Sequence, residues 1–163
     1  MPSQRARGAH EVIRTHDANV LDRFTDVLPL CARRDEDYLR EVAKNIQLVE
    51  PPVSMSLDVM SSGGFRAKEA RCLVVTPTDR RLMRFQVAHF AIPSGANLNV
   101  GWYLVGGERG GGLPIANMFG GPNDGEIDEV VSLVRTVHEY AVMPAMQAIV
   151  DSGRPSPGGF FGA

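Results

Sequence analysis

Residues 53–105 read VSMSLDVMSSGGFRAKEARCLVVTPTDRRLMRFQVAHFAIPSGANLNVGWYLV, and their texture decides the fold. In VSMSLDV, Val53, Met55, Leu57 and Val59 fall on one side, and Ser54, Ser56 and Asp58 on the other. This is the alternation of a strand with one wet face. SSGG at 61–64 reads as a turn, and ARCLVV at 70–75 as a second strand, apolar on both faces. TPTDR at 76–80 brings the proline and aspartate of another turn. RRLMRFQVAHFAI at 80–92 is a third strand, with Met83, Phe85, Val87, His89 and Ala91 on one face and Arg84 and Gln86 on the other. After PSGAN comes LNVGWYLV at 98–105, with Leu98, Val100, Trp102 and Leu104 in register. Connections this short predict an antiparallel meander of four to five strands.

Working outward, the segments on both sides change period. Residues 11–28 place Val20, Leu21, Phe24, Val27 and Leu28 on one helical stripe, with Asp17 as a cap and Pro29 as the stop. Residues 35–46 repeat the pattern with Leu39, Val42, Ala43 and Ile46, behind acidic residues that suit a helix start. Val49-Glu50-Pro51-Pro52 reads as extended. Residues 126–151 carry the strongest helical pattern, Ile127, Val130, Val134, Val137, Ala141, Ala145 and Ala148. Pro144 should kink or split that helix, and Gly153 is placed to end it. The expected fold is therefore α+β: two N-terminal helices, the meander, and a long C-terminal helix packed on the sheet. Residues 1–163 form one domain, with 1–10 and 153–163 as tails. The tail GRPSPGGFFGA ends in an apolar Phe160-Phe161 pair.

The charge is nearly balanced, 17 basic against 19 acidic residues, which does not argue for a nucleic-acid partner. No stretch has the apolar core of a signal peptide or the length of a membrane span, and the two cysteines, Cys31 and Cys72, are too few for a disulfide framework. A cytoplasmic location with reduced, buried thiols is expected.

Chemistry-bearing motifs are sparse. GGERGGGLPIANMFGG at 106–121 has the glycine spacing of a phosphate loop from Gly106 to Gly111, but Gly112 stands where the lysine is needed. About twenty residues separate strand from helix there, unlike a dinucleotide turn. The segment reads as a hinge or flap. His10, His16, His89 and His138 lack metal spacing, and neither a metal site nor a cofactor is expected. Cys72 or His89 would serve a small enzyme only if a base or acid lay nearby. Methionines are frequent, and methionine suits adaptable apolar binding surfaces.

The run from Asn45 to Gly95, with VHEYAVMPAMQAIVDSGRPSP at 137–157, resembles the SecB-type export chaperones. The resemblance makes Ile46 to Pro51 a first strand ending at a proline bend, followed by strands at 53–61, 70–76 and 82–92 and a proline-bearing helix. It implies a non-catalytic protein, a homo-oligomer assembled through sheet and helix, that holds unfolded or partner polypeptides on apolar grooves. The residues it points to are Met55, Leu57 and Val59, then Met83, Phe85 and Val87, then Trp102, Tyr140, Met143 and Met146. The family is markedly acidic and this chain is not, which points to a client other than the export motor. A structural assembly subunit or an inhibitor with one protein partner would use the same surfaces.

Overall fold

The computed structural model describes residues 12–14, 19–62, 68–106 and 124–153. The expectations for residues 1–10, for residues 63–64 of the 61–64 turn, for the flap within 107–123 and for the tail beyond Gly153 lie outside the described residues, while Ser61 and Ser62, expected in that turn, continue the strand. In chain order the elements are β1 (Val12–Arg14), β2 (Asn19–Leu28), α1 (Asp35–Val49), β3 (Val53–Ser62), β4 (Lys68–Pro77), β5 (Phe85–Ser94) and β6 (Asn97–Gly106). Then follow α2 (Asp124–Val137), a π-helical turn (His138–Val142) and α3 (Met143–Gly153). The sheet order is β1-β3-β4-β5-β6-β2. Strands β3 to β6 form the expected meander, β2 adds antiparallel to β6, and β1 adds parallel to β3.

The first expected helix is a strand. Residues 19–28 pair with β6 from Asn19↔Gly106 to Leu28↔Leu98. The physical reason is that Phe24 and Leu28, four apart, share a face under a helical period and under a strand period alike. Four of the ten residues of β2 are Val, Thr or Phe, and the open edge of β6 offers nine paired positions, with an irregularity at Leu21. Pro29 ends a strand, not a helix. The second expected helix is present and runs past Ile46 to Val49, so the 46–51 strand implied by the SecB resemblance is absent. Its end is set by Glu50, left-handed at φ 51°, whose N–H reaches the Ile46 carbonyl. The third expected strand also starts later. Asp79 accepts the Arg81 N–H on its carboxylate and the Leu82 N–H on its carbonyl, and this turn holds 80–84 out of the sheet.

The C-terminal helix is long, as expected, and irregular where Pro144 disturbs it. The Met143 N–H bonds the His138 carbonyl, five residues back, in the turn just before the proline.

The register aligns Leu57, Leu73, His89, Trp102 and Phe24 in one row across the sheet. All the described helices pack on this face. Val130, Val134 and Val137 of α2, with Ala141, Ala145 and Ile149, bury against Val75, Val87, Trp102 and Leu104. Tyr38, Val42 and Ile46 of α1 join them, and Asn45 donates to the Ala141 carbonyl at 3.1 Å. Each of the buried Val, Leu and Ile side chains contributes roughly 1.5–3 kcal/mol of burial. A smaller cluster, Met60, Cys72, Val74, Ala88 and Phe90, occupies the opposite face, where Phe90 stacks on Tyr103 at 5.2 Å.

Candidate functional site

The helices leave part of the sheet open. Helix α1 lies over β4 and β5, next to the π turn and α3. Beyond it, toward β3, a groove of about 600 Å³ opens between helix and sheet. Its floor is Leu57, Leu73 and Ala91, which face the helix side. Its wall is one stripe of α1, Asp35, Glu36, Leu39, Arg40 and Ala43, at the i, i+3, i+4 spacing of a single helix face. Leu57 is 68% exposed, although its strand neighbour Leu73 is buried. Carboxylates and guanidinia of Asp35, Glu36, Glu69, Arg40 and Arg71 rim the groove. Arg71 and Glu36 pair across it at 3.6 Å, both largely exposed. Such a pair contributes little to stability and opens easily.

The residues expected to bind a partner divide by burial. Met55, Leu57 and Val59 share the helix-side face of β3, with Leu57 fully in the groove and Met55 and Val59 half-buried. Met83 stands exposed in the turn before β5. Tyr140 and Met143 are exposed on the outer side of the C-terminal helix. Phe85, Val87, Trp102 and Met146 are core residues, between 0% and 7% exposed. A folded chain keeps these four from any partner. Trp102 is held inside by Phe24, 6.3 Å away, and by His138.

Sequence reasoning did not single out Leu39, Ala43, Leu73 or Ala91 for the groove. Their apolar character was legible. What makes them a groove is that no described helix packs over β3 at Leu57, and a residue pattern does not announce a missing neighbour.

The titratable candidates do not assemble into a catalytic set. Cys72 pairs with Phe90 and His89 with Leu73, so the two side chains point to opposite faces of the sheet. Burial, and then the charge of Asp58 beside it, pushes the Cys72 thiol up to about 12, so it stays protonated and unreactive. His89 is 1% exposed, and neither ring nitrogen has a hydrogen-bond partner among the described residues. Burial, and then the nearby His138, pushes its pKa down to about 3. It lines a void of about 10 Å³ enclosed by Val53, Val75, Val87, Val130 and Val134, too small for a substrate. Among the described residues no three His, Cys, Asp or Glu side chains gather as a metal site. No described helix is long and apolar enough to cross a membrane.

The β2 edge of the sheet carries a recurring device. The carboxylate of Asp22 accepts the N–H of Arg23 at 2.8 Å, and Asp26 that of Val27 at 2.7 Å. Each aspartate occupies a backbone donor of the edge strand. Asp58 makes the same bond to the Val59 N–H at 2.8 Å inside the sheet, where β1 lies beside β3.

No protein-family model matches the chain, and no curated protein matches it.

Proposed function

We propose that this is a non-catalytic binding protein of chaperone type that holds an extended apolar polypeptide segment between α1 and β3. One observation carries this reading: Leu57, a large aliphatic side chain, stands 68% exposed on the floor of a groove long enough to span three strands. An apolar trough with a charged rim is the form taken by sites that accept apolar side chains and keep the flanking backbone wet. Half-buried Met55 lengthens the apolar side of β3, and a thioether adapts to varied side chains. The SecB resemblance, with its apolar grooves, agrees in kind with such a site.

In this reading the protein works without nucleotide or cofactor, and its clients are unfolded or partner polypeptides in the cytoplasm. It functions as a homo-oligomer, for which Tyr140 and Met143 offer an exposed apolar pair one helical turn apart on the outer helix face. Self-association through the β2 edge is disfavoured by Asp22 and Asp26.

The test is to dilute a chemically denatured, aggregation-prone polypeptide into buffer with and without the protein, without ATP, and follow light scattering. Suppression near stoichiometric amounts, lost in a Leu57→Asp variant, is expected. Scattering unchanged by the wild-type protein would overturn the proposal.

A further inference from the structure

The two edges of the sheet are finished differently. On β2, Asp22 and Asp26 occupy the backbone donors of the edge. At the other edge β1 pairs with β3 at Val59, Met60 and Ser61. Among the described residues no strand pairs with the outer side of β3 from Val53 to Asp58.

The β3–β4 register says which backbone groups face that side. The Thr78 N–H bonds the Pro52 carbonyl at 3.0 Å, one step beyond the Val53↔Pro77 pair. Hydrogen-bonded pairs alternate along an antiparallel ladder, so Ser54, Ser56 and Asp58 turn their backbone groups toward β4. Met55 and Leu57 turn theirs outward. The Val53 N–H is taken by the Pro51 carbonyl at 2.7 Å and the Val59 N–H by Asp58 at 2.8 Å. Between these two, no described side chain bonds the N–H of Met55 or Leu57. Leu57 at 68% exposure, with Ser54 and Ser56 exposed beside it, has the accessibility of an open edge. Met55 and Leu57 also point their side chains to the helix side, where Leu57 floors the groove. The outward backbone and the apolar trough therefore belong to the same two residues. Edge strands are ordinarily blunted because unpaired N–H and C=O groups template another chain, and this stretch is left unblunted beside an apolar surface.

We infer that a client segment is taken up as an added strand on β3, in line with β1, with its backbone bonded to Met55 and Leu57. This rests on the groove being a polypeptide site. A strand step of about 4.8 Å puts every second client side chain within cross-strand reach of Leu57, on the groove side. The occupant is thus an extended segment with apolar residues at alternate positions and unblocked backbone N–H groups. Main-chain bonds supply affinity that is tolerant of sequence, and the trough selects apolar character at alternate positions.

The experiment titrates the protein into a fluorescein-labelled peptide of seven alternating threonines and leucines and follows anisotropy. Two further versions carry backbone N-methyl groups on every leucine or on every threonine. The parent is expected to bind, one methylated version to bind at least tenfold more weakly, and the other to stay within about twofold of the parent. Loss with methylated leucines makes the added strand antiparallel to β3, because groove-side residues then face its outward groups, and loss with methylated threonines makes it parallel. Amide exchange of Met55 and Leu57, followed by NMR, is expected to slow in the complex. Equal affinity of all three peptides, or unchanged exchange at both amides, would overturn the inference and leave the groove a polypeptide site that reads side chains alone. A parent peptide that does not bind would remove the polypeptide reading and the inference with it.

Discussion

The indole Nε1 of Trp102 donates a hydrogen bond to Nδ1 of His138 at 3.2 Å, joining β6 to the π turn of the C-terminal helix. Phe24 closes the arrangement, with its ring 4.5 Å from the imidazole. Because Nδ1 accepts, His138 is neutral and carries its proton on Nε2. Burial holds its pKa below the ordinary histidine value. His89, beside it, is pushed lower still, to about 3, by burial and then by His138.

Both folded values lie below the unfolded value of about 6.5, so the unfolded chain takes up protons first as pH falls. Stability is full above about pH 6.5 and declines below it, with His89 alone contributing a slope of up to about 1.4 kcal/mol per pH unit toward pH 3. Urea melts at pH 7, 6, 5 and 4 should show a falling midpoint. The single tryptophan reports the event through its fluorescence. A midpoint constant from pH 7 to 5 would contradict this.

Replacing His89 isolates its share. His89→Leu keeps an apolar side chain in a site walled by valines and removes two buried nitrogens without partners among the described residues. Stability at pH 7 should hold or rise by about 1 kcal/mol, and the pH slope below 6 should become shallower. An unchanged slope would assign the acid sensitivity elsewhere.

Gly101 of β6 leaves room for the backbone of the neighbouring strand β2. A Cβ there would lie 2.1 Å from the Phe24 carbonyl oxygen and 2.8 Å from the Phe90 ring. Backbone cannot move aside cheaply, so Gly101→Ala should destabilise by about 3 kcal/mol. Equilibrium urea unfolding measures it directly, and a change within 0.5 kcal/mol of zero, as for an ordinary surface site, would contradict the packing.

The aspartates on β2 should act as guards. In the Asp22→Ala/Asp26→Ala variant the Arg23 and Val27 N–H groups lose their acceptors along a ten-residue strand. Larger species than the wild type forms are expected by size-exclusion chromatography with light scattering. Asp22→Asn/Asp26→Asn keeps an acceptor oxygen at both places and should behave as wild type.

The meander was legible because its strands alternate and their connections are short. Val53 to Val59 is the clearest case. β2 was not, because Phe24 and Leu28 satisfy both periods and only the open edge of β6, far along the chain, decides between them. The late start of β5 depends on the side chain of Asp79 bonding the backbone two residues on. As for the site, the sequence pointed to Leu57 among ten residues but ranked none above another. Exposure separates them: Phe85 and Trp102 have helices above them, and Leu57 does not.

The central claim is that the groove over Leu57 binds polypeptide. The most direct measurement is fluorescence anisotropy of a fluorescein-labelled, reduced and alkylated unfolded polypeptide, titrated with wild type and with Leu57→Asp. Leu57 is 68% exposed, so its replacement should leave the unfolding free energy from urea melts within about 0.5 kcal/mol of wild type. A carboxylate on the groove floor should weaken binding at least tenfold, about 1.4 kcal/mol. Equal affinity of the two proteins, with equal stability, would contradict the account.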